Sequence, residues 1–598
     1  MSRVEIQGQG PQRPYSRVRA RIQAVLAAAV LGACGGGGGT DTPATPTLYT
    51  IGGTVTGLTG SGLVLQDNAG DDLAVAASGA FTFGTRLASG ASYQVSVRTQ
   101  PAAQSCTVAG SGTVGQANVA SVAVSCAAVD SDTRPLILSL SAPPNAAMGT
   151  LVPYSVTETQ GIALTSLSWT FDGVAGGHGY PGFGNGTLQA WNTPGVHTVR
   201  VVATASNGRT AQATATLAAV GTPLASGQAH SCALTQDGHV QCWGYGGNGE
   251  LGNGATLNQA TPVSVTGLAG VLGLAAGDGH SCALLADRSV KCWGDNGSGE
   301  LGNLATSNGH SALPVAVDGL SNVVSLAAGR YHTCALKGDG SVACFGQNTE
   351  GELGANTSAS KSVTPVGIAG LSNVVAISAG RGYFTCALKA DATVACWGDN
   401  SAGQIGLGST TAASYATPQP VLTAAGTPLN RVLALRSGVD HSCAIVDDGS
   451  YSEVCWGNNS YKQVSSGGSG AYPATAVPNA TGVLMLATTD YSSCAFDVHS
   501  AFKCWGSNYY GESEGAGVAG QYVPTPAAVI GLQGTGLPEY ASGGNEFLCA
   551  LQASGGAKCV GRGGNGQLGN GASADAYAPQ TVTVPAGTFW TWLGVTAR

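Results

Sequence analysis

The sequence predicts an all-β protein in which a seven-bladed β-propeller follows two small β-sandwich domains. At 598 residues the chain is too long for a single hydrophobic core. Its 93 glycines and 25 prolines, with 43 % apolar and 9 % charged residues, favour many short strands and tight turns over disorder. After residue 222, units with a closely spaced cysteine pair recur every 50 to 57 residues, a period typical of propeller blades.

The N-terminus has the layout of a secretory signal. Arg17, Arg19 and Arg21 precede an apolar run over residues 25–30, which is too short to remain in a bilayer as a spanning helix. The run ends in Leu31-Gly32-Ala33-Cys34 and resembles the lipobox of bacterial lipoproteins. An ordinary signal peptide with a chance cysteine is the alternative interpretation.

The lipobox resemblance implies that residues 1–33 are removed and that Cys34 is lipidated. Several acyl chains on one cysteine give lasting membrane attachment. Residues 34–47 would then form a Gly-rich tether, and Gly35 in place of Asp implies sorting to the outer membrane. We therefore expect an exported protein, anchored by lipid in the outer membrane of the bacterial envelope.

Residues 48–127 contain short runs of alternating apolar and polar residues, such as Tyr93-Gln94-Val95-Ser96-Val97, which predict β-strands. The segment is similar to the small β-sandwiches of bacterial surface proteins. Within residues 133–220, two stretches at 168–173 and 193–201 resemble PKD and immunoglobulin-like domains, which implies a β-sandwich with Trp169 in its core. We expect both domains to be spacers that hold the propeller away from the membrane.

The seventeen cysteines divide into Cys34 and eight sequential pairs. Because an exported chain meets an oxidising compartment, we expect each pair to form a disulfide. A metal site is the competing interpretation, but the C-x2-C spacing of zinc sites does not occur. The predicted pairs are Cys106–Cys126, Cys232–Cys242, Cys282–Cys292, Cys334–Cys344, Cys386–Cys396, Cys443–Cys455, Cys494–Cys504 and Cys549–Cys559.

The spacing within the propeller pairs predicts β-hairpins. Between Cys232 and Cys242, a three-residue loop at Gln236–Gly238 would place Gly238 in the left-handed conformation of a type I turn with a bulge. Counting outward, the two cysteines face each other at a non-hydrogen-bonded position, where side chains approach most closely. Cys443–Cys455 has a separation of twelve instead of ten, which adds one residue per strand or two residues to the loop.

Each unit also has an apolar strand that ends in Ala-Gly, and a Trp-Gly turn. Trp243–Gly252 reads WGYGGNGELG and Trp293–Gly302 reads WGDNGSGELG. Over about residues 222–598 these stretches resemble the regulator of chromosome condensation repeat family. The resemblance implies seven blades of four strands, and the family includes eukaryotic nucleotide-exchange factors and a secreted bacterial β-lactamase inhibitor. Units five and six depart from the motif at residues 457–464 and 511–514.

The two ends of the repeat region predict how the ring closes. Unit one has no full apolar strand before Ser226-Gly227, and the C-terminal stretch Thr588–Val595 has no hairpin after it. We expect this C-terminal strand to complete blade one, because closure removes open sheet edges.

The sequence contains no motif of a nucleophile elbow, a zincin or a P-loop. Asp67, Asp71 and Asp72 could suggest calcium, but their spacing matches no known loop. Two polar sets recur once per unit, and such positions cannot converge on one substrate, so we expect structural roles and no cofactor or metal. The sets are His230, His280, His332 and His441, and Glu250, Glu300 and Glu352.

Insertions relative to the repeat are the best candidates for a binding site. They lie at residues 409–430, 461–481 and 509–526, and they are rich in tyrosine, which is enriched at binding hot spots. Ordinary loop tyrosines on a tolerant surface are the alternative interpretation. The candidate residues are Tyr415, Tyr461, Tyr472, Tyr509, Tyr510 and Tyr522.

Together these features predict a monomeric, non-catalytic surface protein that binds a protein or glycan partner. An inhibitor of an extracellular enzyme is one alternative, and a propeller lyase or hydrolase is another, although an enzyme would need a non-repeating polar cluster at the central channel. With 24 Lys and Arg against 32 Asp and Glu, and a net charge of −8, a nucleic-acid partner is not expected. Export removes the small GTPase on which an exchange factor acts.

Overall fold

The computed structural model describes residues 47–128, 136–143, 145–175, 185–191, 195–206, 208–304, 309–513, 522–532, 538–552 and 555–584. The predicted signal peptide, Cys34, the tether and the C-terminal strand at Thr588–Val595 lie outside these residues. The chain divides into two compact units, Met1–Val129 and Asp130–Arg598. Within the described residues the structure is all-β and has no α-helix. None of the described segments forms an apolar helix long enough to cross a membrane.

The first unit is a β-sandwich with one core. Its strands are β1 Leu48–Tyr49, β2 Ile51–Thr56, β3 Leu63–Asp67, β4 Asp71–Val75, β5 Gly79–Thr82, β6 Leu87–Ala88, β7 Ser92–Thr99, β8 Gln104–Ala109, β9 Ser111–Thr113 and β10 Val119–Ala128. They form two four-stranded sheets, β5-β2-β10-β8 and β4-β3-β7-β9. Ile51, Leu65 and Val124 are buried between them, and Cys106 on β8 is bonded to Cys126 on β10.

The second unit begins with another small β-sandwich. Its strands are β11 Leu138–Ser141, β12 Asn145–Ala147, β13 Leu151–Glu158, β14 Leu164–Phe171, β15 Val174–Ala175, β16 Gly186–Ala190, β17 Gly195–Ala205 and β18 Thr210–Val220. The sheets are β11-β13-β16 and β12-β18-β17-β14-β15. The prediction of Trp169 as the core tryptophan is wrong: Trp169 packs half-buried against the core, whereas Trp191 is buried in it and donates to the Tyr154 hydroxyl at 2.8 Å.

The propeller follows as seven four-stranded sheets within the described residues, which confirms the predicted fold class. Blade 1 is β19 Leu224–Ser226, β20 His230–Leu234, β21 Val240–Gly244 and β22 Gln259–Ser264; blade 2 is β23 Val271–Ala276, β24 His280–Leu285, β25 Val290–Asp295 and β26 His310–Ala316; blade 3 is β27 Val323–Ala328, β28 His332–Lys337, β29 Val342–Gln347 and β30 Lys361–Gly367; blade 4 is β31 Val374–Ser378, β32 Phe384–Lys389, β33 Val394–Asp399 and β34 Ser414–Pro420. Blade 5 is β35 Val432–Ser437, β36 His441–Val446, β37 Ser452–Asn458 and β38 Ala471–Ala476; blade 6 is β39 Val483–Thr488, β40 Ser492–Asp497, β41 Phe502–Ser507 and β42 Tyr522–Ala528; blade 7 is β43 Pro538–Gly543, β44 Phe547–Gln552, β45 Ala557–Gly561 and β46 Ala576–Thr581. The first strand of each blade lines a central channel.

The second and third strands of each blade form the cysteine hairpin that the spacing predicts. In blade 1, Thr235 donates its N–H to His239 at 2.9 Å and Gly238 has a φ of +78°, so the turn has the expected left-handed residue. All seven propeller disulfides join directly opposite residues, with the partners that the sequence predicts. In blade 5 the separation of twelve lengthens both strands by one residue, because Val446 pairs with Ser452 before the loop begins.

Neighbouring blades are joined by two repeated contacts. A histidine Nε2 lies 2.8 Å from a hydroxyl of the next blade in the pairs His230–Ser281, His280–Thr333 and His332–Thr385. The indole N–H of the Trp-Gly turn donates to a main-chain carbonyl of the preceding blade, as from Trp293 to Glu250 at 2.7 Å. The Nε2 of His441 has no such partner among the described residues. The side chains of the recurring glutamates each accept a main-chain N–H of their own turn, as Glu250 does from Asn248 at 2.9 Å.

The expectation that the C-terminal strand completes blade 1 is wrong. Leu224–Ser226 is the first strand of that sheet and pairs with β20, so blade 1 has its four strands without Thr588–Val595. Its three residues are too short a run to be recognised as a strand in the sequence. Main-chain and side-chain contacts join blades 7 and 1. Asn545 donates its N–H to the Gln228 carbonyl at 3.2 Å, Trp243 donates to the Gln567 carbonyl at 2.9 Å, and Leu224 shares a buried cluster with blade 7.

Candidate functional site

One end of the propeller collects two sets of loops. In an antiparallel four-stranded blade the first and third strands run in the same direction, so the loop after the first strand and the loop after the third strand lie at the same end. We call this end the upper face. Contacts between the two sets support this placement, since Arg562 donates to the Asn545 side chain at 2.7 Å and Asn458 to Asp440 at 2.6 Å.

The loops after the first strands form a ring around the channel mouth. Main-chain N–H groups donate to the carbonyl of the next loop, from Gln228 to Asp278 at 3.2 Å and from Asp278 to Arg330 at 3.3 Å. Between blades 4 and 5 the loops approach so closely that a Cβ on Gly380 would lie 1.6 Å from the Gly438 carbonyl oxygen. The ring thereby brings one side chain per blade to the mouth, namely Gln228, Asp278, Arg330, Arg381, Val439, Asp490 and Asn545.

Five of these side chains form a connected polar group, the channel-mouth network: Asp278, Arg330, Arg381, Asp490 and Asn545. Arg381 bonds to Asp490 across the mouth and lies 4.0 Å from Asp278. Arg330 holds Asp278 at 3.0 Å, and Asn545 donates to Asp490 at 2.5 Å. Only 5 % of the Arg381 side chain is exposed, so it closes the mouth as a buried, paired cation.

Burial opposes the charges of Arg381 and Asp278 in this network. It lowers the pKa of Arg381 to about 10 although Asp278 favours the charged form, and it raises the pKa of Asp278 against the influence of Arg381 and Arg330. The charged groups therefore depend on one another, because removing one partner of a buried pair leaves the other charge without compensation.

Two groups of tyrosines flank the mouth. On blades 3 and 4, the Tyr331 and Tyr383 rings are 6.1 Å apart, and the Arg330 guanidinium lies 5.4 and 5.2 Å from their centroids. On blades 5 and 6, Tyr461 lies 5.0 Å from Tyr491 and 6.1 Å from Tyr509. We call the three rings Tyr461, Tyr491 and Tyr509 the tyrosine cluster.

The candidate tyrosines from the sequence divide between two places. Tyr461 and Tyr509 belong to the tyrosine cluster, and Tyr510 lies on the same face, where Arg562 is 5.8 Å from its ring. For the other three candidates, Tyr415, Tyr472 and Tyr522, partner binding stays a prediction. They lie in the fourth strands β34, β38 and β42 on the outer rim, because each insertion contains that strand as well as a loop.

The sequence analysis missed the channel-mouth network. Its signal is one position in the loop after each first strand, which follows a glycine in six blades and Thr489 in blade 6. The residue at this position is charged or polar in six blades and varies between them. Tyr331, Tyr383 and Tyr491 follow in the same loops. A repeat hides this signal, because the positions are far apart in the chain and only the ring brings them together.

The described residues show no metal site in the first unit's aspartates. Asp67 accepts the Gln94 N–H, Asp71 accepts the Thr85 N–H, and Asp72 pairs with Arg98, so each has a separate partner. Cys443, Glu453 and Cys455 lie close enough to share an ion, but the two cysteines form a disulfide and are not thiolate ligands.

Comparison with known proteins identifies the repeat. Family models of the regulator of chromosome condensation (RCC1) repeat match residues 237–284, 289–336, 339–388 and 391–445. This part of the propeller consists of RCC1 repeats. The resemblance seen in the sequence is therefore confirmed for the repeats, which cover blades 1 to 5 in part or in full.

Two human curated relatives each match about a third of the chain. The human probable E3 ubiquitin-protein ligase HERC6 is 32 % identical over 219 residues, which is 36 % of this chain and 20 % of that protein. The human probable E3 ubiquitin-protein ligase HERC4 is 30 % identical over 223 residues, with the same shares. The chain thus spans about a fifth of the length of the curated relatives it matches.

Solved structures agree on the fold of the RCC1-repeat propeller. A chain in the crystal structure of Kap60 bound to yeast RCC1 (Prp20) matches with a TM-score of 0.51 and 21 % identity, over 59 % of this chain and 86 % of that one. Human WBSCR16 matches with a TM-score of 0.51 and 21 % identity, over 58 % of this chain and 95 % of that one.

Proposed function

We propose that the propeller is a non-catalytic binding module whose upper face docks a protein partner. The observation that carries the proposal is the combination of the tyrosine cluster with a non-repeating charged network at one end of a rigid ring. Tyrosine supplies large contact area at small entropic cost and is enriched where binding energy concentrates. Loops on a rigid scaffold are the usual place for such a site.

The charge of the upper face favours a partner with a basic docking surface. Its loops and strand ends contain twelve described Asp and Glu residues and five Lys and Arg residues. Five of the acids and one of the bases are buried, which leaves seven acids and four bases accessible to a partner. The buried residues are Glu250, Glu300, Glu352, Asp490, Glu512 and Arg381. Asp440, beside the tyrosine cluster, has amide partners in Asn458 and Gln463 and has no Lys or Arg within 4.0 Å among the described residues. A Lys or Arg side chain could therefore approach both this carboxylate and the aromatic rings.

An enzyme is less well supported, although the channel mouth has the kind of polar cluster that catalysis would require. Each carboxylate of the network lies against a guanidinium group, so its oxygens are already engaged and are not free to accept a substrate proton. An inhibitor of an extracellular enzyme remains compatible with the docking proposal, since it differs only in the identity of the partner.

Two tyrosines of equal exposure provide a matched test. Tyr509 in the tyrosine cluster is 45 % exposed and Tyr522 on the outer rim is 44 % exposed. The full chain would be probed against arrays of secreted and surface proteins and of glycans, and each bound partner measured against both variants. We expect Tyr509→Ala to weaken binding by about tenfold or more and Tyr522→Ala to leave it unchanged.

The arrays also separate the alternatives. Binding to a basic protein should weaken with rising salt, because the attraction between exposed charges is screened. Protein binding that persists in Tyr509→Ala, Tyr461→Ala and Tyr331→Ala would exclude the upper face as the docking surface. Binding confined to the glycan array would show that the partner class is wrong.

We also propose export and lipid anchoring at Cys34. The support is the order of basic segment, apolar run and Leu-Gly-Ala-Cys34, together with eight disulfides that an oxidising compartment would preserve. Cys34→Ser should release the protein from membranes or leave its signal uncleaved. Normal processing and unchanged detergent partitioning of this variant would contradict the proposal.

A further inference from the structure

The central channel encloses a polar cavity of about 130 Å³. Arg381 and Asp490 of the channel-mouth network border it at the upper end. Towards the lower end it is lined by Tyr540 and Arg436, and Arg436 contacts the second sandwich at the Met148 carbonyl, 3.4 Å away. A space of this size can hold a small ion with several waters.

Arg436 breaks the pattern of the channel wall. The residue of the first strand that pairs with the first cysteine of the hairpin is alanine or serine in six blades and Arg436 in blade 5. The six counterparts are Ala225, Ala275, Ala327, Ser378, Ala487 and Ser542. A long cation therefore lies in a channel whose other walls are small at this level.

The partners of the Arg436 guanidinium are all neutral. It donates to the Leu435 carbonyl at 3.0 Å, the Met148 carbonyl at 3.4 Å and the Tyr540 hydroxyl at 3.0 Å. No described carboxylate lies within 4.0 Å of it, whereas Arg381 is paired with Asp490. Three of the five N–H groups of a guanidinium are used by these bonds. Because no described carboxylate balances Arg436, the channel has an excess of positive charge at this level. An unpaired charge that is half-buried lowers the stability of the fold.

Hydroxyl groups on neighbouring blades add donors to the same space. The Ser542 hydroxyl accepts the Ser226 N–H at 3.0 Å, and the Ser437 hydroxyl accepts a bond from Ser442 at 3.0 Å. Each of these hydroxyls therefore retains its own hydrogen for another acceptor. Both residues line the cavity. Asp490 is the one carboxylate among the described lining residues, and Arg381 and Asn545 already bind it.

We propose that the channel binds a small monovalent anion, of the size of chloride or acetate, at Arg436. The anion would accept the remaining guanidinium N–H groups and the hydroxyl hydrogens, and it would supply the missing counter-charge. Because Arg436 also contacts Met148 and Tyr540, the bound anion stabilises the place where the second sandwich meets blades 5 and 7. A cation would meet the guanidinium charge, and an apolar ligand would leave the hydroxyl groups without partners.

The first test uses the full chain and the stability that a ligand confers when it binds only the folded state. Thermal unfolding would be followed in sodium chloride and in sodium gluconate at equal ionic strength, since gluconate is too large for the cavity. We expect a higher midpoint in chloride, rising with its concentration. Arg431→Met is the matched control, because Arg431 lies on the same blade with 61 % of its side chain exposed, and it should keep the dependence. Arg436→Met should lose it.

A second measurement locates the ion directly. Crystals of the full chain soaked in sodium bromide should show an anomalous peak within hydrogen-bonding distance of the Arg436 guanidinium. Arg436→Lys, which retains the charge, should shift the chloride titration to higher concentration if Arg436→Met fails to fold. Equal midpoints in chloride and gluconate for the unmodified chain, or a bromide peak only elsewhere, would overturn the proposal. A tenfold preference for sulfate would exclude a monovalent ligand.

Discussion

Blades 2 and 5 share a framework, which consists of the hairpin disulfide and the tryptophan of the Trp-Gly turn, and they differ at other positions. Each holds a hairpin disulfide, Cys282–Cys292 in blade 2 and Cys443–Cys455 in blade 5. Each buries the tryptophan of its Trp-Gly turn completely, and its indole N–H donates to the preceding blade, from Trp293 at 2.7 Å and from Trp456 at 3.1 Å. The framework therefore fixes the blade and its seam with the neighbour.

The differences in blade 5 are large and affect one buried and one half-buried position. Two residues before the second cysteine, blade 2 has Val290 and blade 5 has Glu453, which is fully buried. Burial raises the pKa of Glu453 well above its usual value. At the channel, Arg436 replaces the counterpart Ala275. These exchanges show that blade 5 is adapted to a task that blade 2 does not share.

The location of these exchanges indicates the task. Leu151 and Leu188 of the second sandwich are buried in the same cluster as Ile445 and Val483, between blades 5 and 6. The sandwich predicted as a spacer therefore packs on the propeller and shares a core with it. The irregular blade lies at this contact, so the irregularity belongs to the attachment of the second sandwich.

The largest expected effect is the loss of stability when the tryptophan of either blade is removed. Comparing the two losses tests whether the tryptophan contributes equally to blades 2 and 5. Trp293→Ala and Trp456→Ala each remove a fully buried ring and a hydrogen bond between blades, so each should lower the free energy of unfolding by about 3–5 kcal/mol. Denaturant unfolding with the disulfides intact measures both. A difference above roughly 1.5 kcal/mol between them would show that the seams are not equivalent.

The next effect concerns the two disulfides. Replacing Cys282 and Cys292 by alanine, or Cys443 and Cys455, should cost about 2–3 kcal/mol in each case, because the stabilisation depends only on the logarithm of loop length. The separations of 10 and 12 residues predict nearly equal losses. If the blade 5 pair costs much more than the blade 2 pair, its disulfide supports the attached sandwich as well as its own hairpin.

Glu453 predicts a gain of stability. Its Oε1 lies 3.5 Å from the Cys455 sulfur, and its buried Oε2 has no hydrogen-bond partner among the described residues. Glu453→Val, the blade 2 residue, should therefore stabilise the chain by about 1–3 kcal/mol at neutral pH. Because burial raises its pKa, the folded state loses stability as the pH rises above the usual value for glutamate, so the gain should be larger at pH 8 than at pH 5. A loss of stability in Glu453→Val would show that this carboxyl group has a functional partner.

The smallest effect is a reciprocal exchange between the two blades. Glu300 of blade 2 is buried and burial raises its pKa to about 7, whereas blade 5 has Gln463 at the corresponding position. The raised pKa of Glu300 contributes to the stability of the folded state at low pH. This contribution is lost as the pH rises towards and through about 7. Glu300→Gln should remove this dependence and stabilise the chain by about 1–2 kcal/mol at pH 8. Gln463→Glu should introduce the same pH dependence. The melting temperatures of both variants and of the unmodified chain would be measured between pH 5 and 8. If all three change with pH in the same way, this account is contradicted.

The repeat could be predicted from sequence because its physical constraints are local. The hairpin turn around Gly238 and the alternation that places Cys232 opposite Cys242 follow from strand geometry. The first strand of blade 1 could not be found this way, since three residues carry too little periodicity. The network around Arg381 could not be found either, because its members come from five blades and meet only when the ring closes.

The closure of the ring by contacts between blades 1 and 7 has a mechanical consequence. Every blade is one continuous stretch of chain, so a pulling force on the two ends of the propeller would detach blades one at a time from the seam between blades 1 and 7. Each hairpin disulfide keeps the residues between its two cysteines from being stretched. In blade 2 the cysteines are 10 residues apart, and without the bond this segment would extend by about 35 Å. A released blade should therefore lengthen by less than its residue count allows. The disulfides therefore limit the length of chain that is released when one blade unfolds under force.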